Sequence, residues 1–220
     1  MDILFEDDQI LVLNKPSGLP VLPDGWERDA PYLVQSLEAQ YPKIWIVHRL
    51  DKVTSGVMVF ARTAEAHRAL NRQFEDHTVE KVYHALANGL PEWVEKIARH
   101  KLRINVGHHH RTMVDASRGK SAETRFRVLE RFSEETLLEA RPLTGRTHQV
   151  RVHAYALGFP LVGDTLYGAP RSKVIARVAL HASALSFIHP LTNQPLSFKL
   201  PYPEDFNLAL KTLRDGSLQK

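Results

Sequence analysis

Short apolar runs that end at proline or glycine constrain the fold of this chain more than any other feature of its sequence. The first run, Ile10 to Leu13, reads as a strand that stops at Pro16 and a turn of Ser17 and Gly18. Similar runs predict strands at residues 44–47, 57–60, 82–87, 125–129, 136–141, 180–188 and 196–200, with the last two joined as a hairpin. These strands outnumber the predicted helices and do not alternate with them regularly. The pattern predicts an α+β fold around a mostly antiparallel sheet.

Four segments have apolar residues at helical spacing. Asp29 with Pro31 resembles a helix start, and apolar residues recur at helical spacing from Leu33 to Tyr41. Thr63 predicts an N-cap for a second helix, since its side chain can accept a hydrogen bond from the first turn. Residues 147–157 predict a third helix, and the spacing of Phe206, Leu210 and Leu213 predicts a fourth.

Composition excludes several classes of protein. The 220 residues contain no repeat and no Gly/Ser linker, so we expect residues 1–220 to form a single domain. No apolar run is long enough to cross a membrane, and the N-terminus lacks the apolar region of a secretory signal. The absence of cysteine excludes disulfides, cysteine-ligated zinc and a thiol nucleophile. These features are typical of a cytoplasmic protein.

Charge is distributed unevenly along the chain. Residues 1–40 carry eight acids against two bases, whereas residues 96–127 carry nine bases against two acids. The nine bases are Lys96, Arg99, Lys101, Arg103, Arg111, Arg118, Lys120, Arg125 and Arg127. Such an asymmetry indicates a surface that faces phosphates. A solvated basic face without a ligand explains it equally well on composition alone.

The segment HRLDKVTSG, residues 48–56, places charged residues between two predicted strands. Catalytic side chains are commonly held in this way, on a loop that two rigid strands brace. His48, Arg49 and Asp51 are the candidate functional residues. For these residues alone, a surface loop in which arginine and aspartate pair with each other is the simpler interpretation.

The segment RPLTGRTHQVRVH, residues 141–153, predicts an anion site. Gly145 permits a tight turn, and Arg146 stands beside the positive end of a helix predicted to begin at Thr147. The anion is either an RNA phosphate or a buried aspartate. If it is Asp51, the guanidinium would lower the pKa of that carboxyl group and orient it through paired hydrogen bonds.

The segment EKVYHALANG, residues 80–89, places Lys81 and Tyr83 on one face of a predicted strand. A tyrosine in this position can stack on a base or move a proton. Taken alone, Tyr83 is more typical of a half-buried strand aromatic.

The histidines predict no metal site. His108, His109 and His110 are consecutive, so they would point in opposite directions, and a solvated or phosphate-facing loop is the better interpretation. His148 and His153 are five residues apart, which does not place two ligands on one helical face. Trp26, Trp45 and Trp93 are predicted to be core or lobe-contact residues, and RNA contact is the alternative for Trp26 and Trp93, which lie in polar loops.

These segments together resemble the motifs of the RluA-type pseudouridine synthases. The matching motifs, in the family's order, are NKPSG (14–18), HRLDKVTSG (48–56), Lys81-x-Tyr83-x-Ala85, LTGRTHQVRVH (143–153), LVGDTLYG (161–168) and LHASALSFIHP (180–190). The resemblance extends from about Leu4 to Phe206, and six motifs in register make coincidence improbable. It implies the pseudouridine-synthase fold, with a mixed sheet in two lobes, flanking helices and a central catalytic cleft.

The resemblance also implies a reaction and assigns residues to it. In this family the N1 glycosidic bond of a uridine in RNA breaks, the uracil turns, and C5 joins the sugar, without metal or organic cofactor. Asp51 matches the essential aspartate, Arg146 the arginine that pairs with it, and Tyr83 the tyrosine stacked under the target uracil. Arg49 resembles the arginine that fills the space left by the flipped nucleotide. Leu180 corresponds to an aliphatic wall of the uracil pocket, and Lys15 has a supportive role. The remaining substrate or RNA-binding residues by resemblance are His48, Lys81, Thr54 and Arg151.

The resemblance predicts RNA as the partner, either large-subunit rRNA, tRNA or both. The chain starts almost directly at the catalytic motifs, so we expect no N-terminal S4-type domain and a monomer. RNA recognition would then fall to the basic segment 96–127 and the loop from Arg171 to Arg177. Two rival functions are an RNA-binding or ribosome-assembly factor without catalysis, and a nucleoside hydrolase. The hydrolase would normally show two carboxylates, and here only Asp51 lies in a motif.

Overall fold

The computed structural model describes residues 2–23, 30–107 and 111–217. The predictions made for Trp26, Asp29 and His108 to His110 lie outside the described residues. The chain divides into two compact units, Met1–Lys81 with Ala182–Pro201 and Val82–His181 with Tyr202–Lys220. Two of the three boundaries along the chain fall inside strands, β5 (Glu80–Asn88) and β10 (Leu180–Ile188), and the third lies between Pro201 and Tyr202.

The first unit contains an antiparallel sheet built on three predicted strands and on one strand, β1, that was not predicted. Strand β2 (Ile10–Lys15) pairs with β1 (Asp2–Glu6) and with β4 (Ser55–Ala61), and the short β3 (Trp45–Ile46) also pairs with β4. Every residue of β4 is buried, as expected for a nearly continuous apolar run. The end of β10 forms the predicted hairpin with β11 (Pro195–Lys199).

Two helices complete the first unit. Helix α1 (Leu33–Glu38) ends before Tyr41, which is nevertheless buried. Helix α2 (Ala64–Glu75) begins at the predicted cap, since the Thr63 hydroxyl accepts a hydrogen bond from the Ala66 N–H at 3.1 Å.

The second unit contains an antiparallel sheet in the order β5, β9, β8, β6, β7. The four further strands are β6 (Glu95–Val106), β7 (Arg111–Val114), β8 (Lys120–Arg131) and β9 (Glu135–Pro142). Strands β6 and β7 were not predicted, because their basic residues were interpreted only as a charged surface and not as part of an alternating strand pattern. The alternation was nevertheless present, with Ala98 and Leu102 buried between exposed Arg99, Lys101 and Arg103.

Two helices also pack in the second unit. Helix α3 (Gln149–Ala156) packs on β6, β7, β8 and β9. Helix α4 (Glu204–Ser217) buries Phe206 and Leu210 against a cluster that includes Leu86 and Leu137. Burying such side chains contributes about 1.5–3 kcal/mol each.

The α+β class and the largely antiparallel sheet are confirmed. The single domain and its central cleft stay predictions. No helix in the described ranges is long and apolar enough to cross a membrane.

Candidate active site

Asp51 lies in the loop between β3 and β4, as predicted. Leu50 is buried and Asp51 is half-buried, so the loop is anchored by an apolar side chain next to its carboxylate. The Asp51 carbonyl accepts a hydrogen bond from the Thr54 N–H at 3.0 Å, which closes a tight turn just before β4 begins. The turn fixes the backbone from which the Asp51 side chain projects.

The Lys15 side chain holds the Asp51 loop through hydrogen bonds to backbone carbonyls. This side chain is fully buried, and Nζ donates hydrogen bonds to the carbonyls of Pro16 at 2.8 Å, Leu19 at 2.7 Å and Lys52 at 3.3 Å. A buried ammonium is stable only when such acceptors replace its water. This burial argues against direct contact of Lys15 with RNA, and its position beside the Asp51 turn indicates a bracing role.

The other residues of the NKPSG motif hold the same loop. The Ser17 hydroxyl donates to the Val53 carbonyl at 2.7 Å, and the Gly18 N–H donates to the Lys52 carbonyl at 2.8 Å. Gly18 has φ +87°, a conformation that glycine adopts at little cost. The first and second motifs therefore form one hydrogen-bonded structure.

Gly56 is required by a close approach within the first unit. It has φ +124°, and a Cβ added there would lie 2.2 Å from the Ala182 carbonyl oxygen. No larger side chain fits without moving backbone. The last residue of HRLDKVTSG is thus explained by a contact with β10.

His48 is a neutral, packed side chain. Its Nε2 accepts a hydrogen bond from the Val59 N–H at 3.1 Å, and its ring stacks on Phe74 with centroids 4.8 Å apart. Burial, with a smaller contribution from the Lys81 charge, lowers the pKa of His48 to about 3. Burial also lowers the pKa of Lys81 to about 8. His48 therefore secures the loop to β4.

Arg49 and Thr54 differ sharply in exposure. Arg49 is exposed and has no hydrogen bond or ion pair with any residue in the described ranges, so the predicted pairing with Asp51 within the loop does not occur. Its guanidinium can contact a ligand. Thr54 is buried, and its hydroxyl has no hydrogen-bond partner among the described residues.

Tyr83 lies in the second unit, in β5 opposite Ala140 of β9. Ala140 pairs in turn with Phe126 of β8, and Phe126 pairs with Lys96 of β6. Directly paired residues of antiparallel strands point to the same face of the sheet. Tyr83 is therefore half-buried on the face against which α3 packs.

Most of the basic segment lies on the other face of this sheet. Five of its nine bases alternate onto the face opposite Tyr83, namely Arg99, Lys101, Arg103, Arg125 and Arg127. Three of the five pair with acids, Arg99 with Glu123 at 2.7 Å, Arg103 with Asp115 at 3.5 Å and Arg127 with Glu139 at 3.3 Å. These three ion pairs agree with the alternative interpretation of the basic segment, a solvated face that binds no phosphate. A phosphate-facing surface formed by the segment stays a prediction.

The Gln149 side chain positions the Arg146 backbone, although the sequence motifs did not identify Gln149 as a functional residue. The Gln149 Oε1 accepts hydrogen bonds from the Arg146 N–H at 3.0 Å and the Thr144 hydroxyl at 2.6 Å. Its Nε2 donates to the Glu123 carbonyl at 2.9 Å and the Thr124 hydroxyl at 3.0 Å. The buried amide thereby fixes the Arg146 backbone to β8. Its location in TGRTHQ, three residues after Arg146, was the available signal.

The turn before α3 differs from the prediction. The helix begins at Gln149, two residues later than expected, because His148 adopts the left-handed conformation with φ +54°. Gly145 does not have positive φ, and a Cβ there would meet nothing within 4 Å. Neither backbone conformation nor steric contact therefore requires glycine at position 145, and His148 is the left-handed residue of this turn. The His148 Nδ1 lies 3.0 Å from the Tyr167 hydroxyl.

Arg151 corrects the prediction of an RNA-binding role. Its guanidinium forms a bidentate ion pair with Asp164, with Nε–Oδ2 at 2.7 Å and Nη2–Oδ1 at 2.8 Å. Both side chains are buried. A paired, buried arginine is not presented to RNA, and its role is to join the LTGRTHQVRVH and LVGDTLYG motifs.

Leu180 is buried at the start of β10, and its carbonyl accepts a hydrogen bond from Arg177 at 3.1 Å. Arg177 also pairs with Asp205 through Nε–Oδ2 at 2.6 Å. The prediction that Arg177 contacts RNA is therefore not supported, because its guanidinium is already used to position Leu180. Leu180 as a wall of the uracil pocket stays a prediction, as does the pairing of Asp51 with Arg146.

The histidines of α3 pack as expected. His153 is fully buried, its Nδ1 lies 2.9 Å from the Thr124 hydroxyl, and burial lowers its pKa to about 4, with a smaller effect of His100. Among the described residues no group of three or more His, Cys, Asp or Glu side chains is arranged to hold a metal ion.

Known proteins resemble this chain in sequence. Residues 9–156 match the family model described as RNA pseudouridylate synthase. The chain is 39% identical over 232 residues to ribosomal large subunit pseudouridine synthase D of Neisseria meningitidis, covering 97% of this chain and 61% of that protein. It is 38% identical over 201 residues to dual-specificity RNA pseudouridine synthase RluA of Escherichia coli, covering 90% and 92%. The chain thus spans less than two thirds of the Neisseria relative.

Solved structures share the fold. Human RNA Pseudouridylate Synthase Domain Containing 1 superposes with a TM-score of 0.78 at 28% identity, over 100% of this chain and 95% of that one. Human RNA Pseudouridylate Synthase Domain Containing 4 gives 0.78 at 25% identity, over 97% and 93%.

Proposed function

The chain belongs to the RNA pseudouridylate synthase family, as an RluA-type member, and from this premise we propose that it isomerises uridine in RNA to pseudouridine. In this isomerisation the bond between N1 and the sugar breaks, a bond from C5 to the same sugar carbon forms, and the C5 proton is lost while N1 gains one. Nothing is consumed, and no cofactor is required.

The observation that supports this proposal most strongly is the bracing of the Asp51 loop. Lys15, Ser17 and Gly18 donate hydrogen bonds to the carbonyls of Lys52 and Val53, immediately after Asp51. A carboxylate on such a loop is preorganised, so little free energy is spent orienting it during reaction. Attack on the sugar, attack on the base and removal of a sugar proton all need an ionised carboxylate held in place.

We assign the other catalytic roles to Tyr83 and Arg146. Tyr83 stacks under the target uracil and removes the C5 proton, and Arg146 keeps Asp51 ionised and oriented. Gln149 supports the second role, because it fixes the Arg146 backbone.

Substrate contacts follow from exposure. Arg49 is exposed and suited to occupy the stack after the nucleotide flips, which costs a few kcal/mol. Leu180 lines the uracil pocket. His48, Lys15 and Thr54 act by positioning the Asp51 loop, and Lys81 adds positive charge near His48.

The substrate is structured RNA, in large-subunit rRNA, tRNA or both. The Neisseria relative is named for the large ribosomal subunit, and the Escherichia coli relative is named as dual-specific. Pseudouridine mapping of total RNA from cells with and without the gene identifies the modified positions.

Release of tritium from RNA labelled at uridine C5 tests the activity. Unmodified large-subunit rRNA and tRNA transcripts are the substrates. We expect release by the native protein and none by Asp51→Asn, because the amide cannot act as an ionised carboxylate. Asp8→Asn makes the same chemical change at an exposed position outside every motif and should release label at the native rate.

The outcomes also separate the rival functions. Tight binding without release would favour an RNA-binding or assembly factor, and free uracil would favour a hydrolase. Release by Asp51→Asn at the native rate would show that the assignment of Asp51 is wrong.

A further inference from the structure

A groove lies between the edge strand β7 and helix α3, within the second unit. Its volume is about 400 Å³, within the range of small-ligand sites. The described residues that line it come from β6 (His100), from β7 (Arg111 to Val114), from α3 (Val152, Tyr155 and Ala156) and from Tyr167. None of the residues named above as contacts of the Asp51 loop or of Arg146 lines the groove.

The lining combines a stacking surface with a cation. Tyr155 is 52% exposed although it belongs to a helix that packs on the sheet, and its ring lies 6.1 Å from that of buried Tyr167. Arg111 is exposed at the rim, and its guanidinium has no hydrogen bond or ion pair with residues in the described ranges. The described lining contains no acid. An exposed aromatic ring beside a cation suits a base and its phosphate.

The walls also contain polar atoms that lack partners. The Thr112 residue is fully buried, and neither its hydroxyl oxygen nor the His100 Nδ1 has a hydrogen-bond partner within the part of the chain that the structure describes. Buried polar atoms of this kind are rare, and a polar ligand or water is the usual partner.

The floor of the groove is preorganised. The Tyr167 hydroxyl accepts from the Thr112 N–H at 3.0 Å and donates to the Thr112 carbonyl at 3.1 Å. Both backbone groups of one β7 residue are therefore bonded to Tyr167, which fixes this part of the edge strand against another residue of the lining. A preorganised lining loses less conformational freedom when a ligand binds.

The position of the groove connects it to Arg146. Tyr155 follows Gln149 by six residues of the same helix, a rise of about 9 Å. His100 lies on the sheet face that carries Tyr83, by the pairing across β5, β9, β8 and β6. A strand of RNA running along α3 would pass the Arg146 turn and the groove in succession.

We propose that this groove binds an unpaired nucleobase of the substrate RNA, other than the target uridine, stacked on Tyr155 with its phosphate beside Arg111. The inference rests on the proposed function in that the ligand is part of an RNA substrate. It adds a recognition site for a second nucleotide to the reaction site.

Binding of a pentamer of adenosine tests the groove separately from catalysis, because this oligonucleotide contains no uridine. Fluorescence anisotropy of the labelled pentamer gives Kd at fixed low salt. We expect Tyr155→Ala to weaken binding about tenfold, in line with base stacking on an aromatic ring. Tyr155→Phe keeps the ring and should stay within about twofold of native. Arg111→Gln should weaken binding and reduce its salt dependence.

Arg72→Gln is the matched control, since it removes the same charge from an exposed residue that neither lines the groove nor belongs to the basic segment 96–127. If Tyr155→Ala or Arg111→Gln binds the pentamer as tightly as Arg72→Gln, the proposal is wrong. Photo-crosslinking of 8-azidoadenosine in the pentamer should label Tyr155 or the β7 segment, and labelling confined to other peptides would also overturn it. Competition with free AMP tests whether the groove prefers a free nucleotide to a base within RNA. We expect the pentamer to bind more tightly than AMP, and tighter binding of AMP would contradict the proposal. The proposed function can fail separately from this site. In that case the native protein would release no tritium from labelled RNA but would still bind the pentamer.

Discussion

The Asp51 loop in the first unit and the Arg146 turn in the second are held in different ways. The Asp51 loop is held by donors to backbone carbonyls, among them the buried Lys15 ammonium. The Arg146 turn is held by the Gln149 amide, and the helix that follows it carries the buried ion pair of Arg151 and Asp164. In the pair, the buried Arg151 charge is matched by a buried carboxylate, whereas the Lys15 ammonium donates to backbone carbonyls, one of them in the Asp51 loop.

The difference has an electrostatic consequence. The Arg151 guanidinium is matched by the Asp164 carboxylate, so it contributes little field beyond the pair. The Arg146 guanidinium donates from Nε to the Ser121 carbonyl at 3.4 Å, a neutral acceptor that leaves its charge for the anion proposed above. The two motifs thus differ in which charges are structural and which can act on substrate.

The largest expected effect comes from breaking the matched pair in the second unit. Arg151→Met leaves the Asp164 carboxylate buried without its partner, which should lower the free energy of unfolding by about 3–5 kcal/mol. Urea unfolding measures it. Arg68→Met breaks an exposed pair with Glu65 and should cost less than about 1 kcal/mol.

A compensated variant sharpens this prediction. Arg151→Met combined with Asp164→Leu removes both charges and should recover most of the lost stability, because no buried charge is left unmatched. A loss with Arg151→Met no larger than that with Arg68→Met would contradict the buried pair.

The glycines of the two motifs provide the second comparison. Gly56→Ala places a methyl group 2.2 Å from the Ala182 carbonyl oxygen at φ +124°, which should destabilise the protein by about 3 kcal/mol. Gly145→Ala meets no neighbour and should change stability by less than about 0.5 kcal/mol. Thermal unfolding measures both variants. Equal effects would show that the close approach at Gly56 is absent.

The Gln149 amide gives a smaller effect with a kinetic readout. Gln149→Glu replaces the donor that faces the Glu123 carbonyl, so we expect a loss of about 1–3 kcal/mol in stability. Because the Arg146 N–H shifts with the side chain, kcat for tritium release should fall while KM changes little.

The matched substitution in the first unit is Gln73→Glu, where the amide bonds both backbone groups of Ile188 at a more exposed site. It should leave kcat unchanged. A parallel fall of kcat in both variants would show that Gln149 acts only through stability.

The most gradual expected effect is a dependence of stability on pH. The pKa of His48 is about 3 and that of His153 about 4, both below the ordinary value of 6.5. The unfolded chain therefore binds more protons below about pH 6.5, and the stability contributed by the two neutral rings declines as the pH falls from there toward 4 and 3. Urea unfolding between pH 7.5 and pH 4 measures the slope. His48→Gln should reduce the slope, and an unchanged slope would contradict a buried neutral His48.

Most strands and the N-cap at Thr63 could be predicted from the sequence, because they depend on alternation, turn residues and local hydrogen bonds. Strand β6 was not predicted, because its many basic residues obscure the alternation of Ala98 and Leu102 with exposed side chains. The start of α3 was placed two residues early because the left-handed conformation of His148 has no signal in residue type.

The motifs themselves located Asp51, Tyr83 and Arg146 in the sequence, and the resemblance of six motifs in order predicted the family. Sequence did not separate residues that contact RNA from residues that hold the motifs together. Lys15, Arg151 and Arg177 are all cations in or near motifs, yet each is used inside the structure, by carbonyls or by carboxylates. Likewise Gly56 and Gly145 read alike in the sequence. Only the tertiary structure distinguished them, because burial and steric contact depend on residues distant in the chain, as Ala182 is from Gly56.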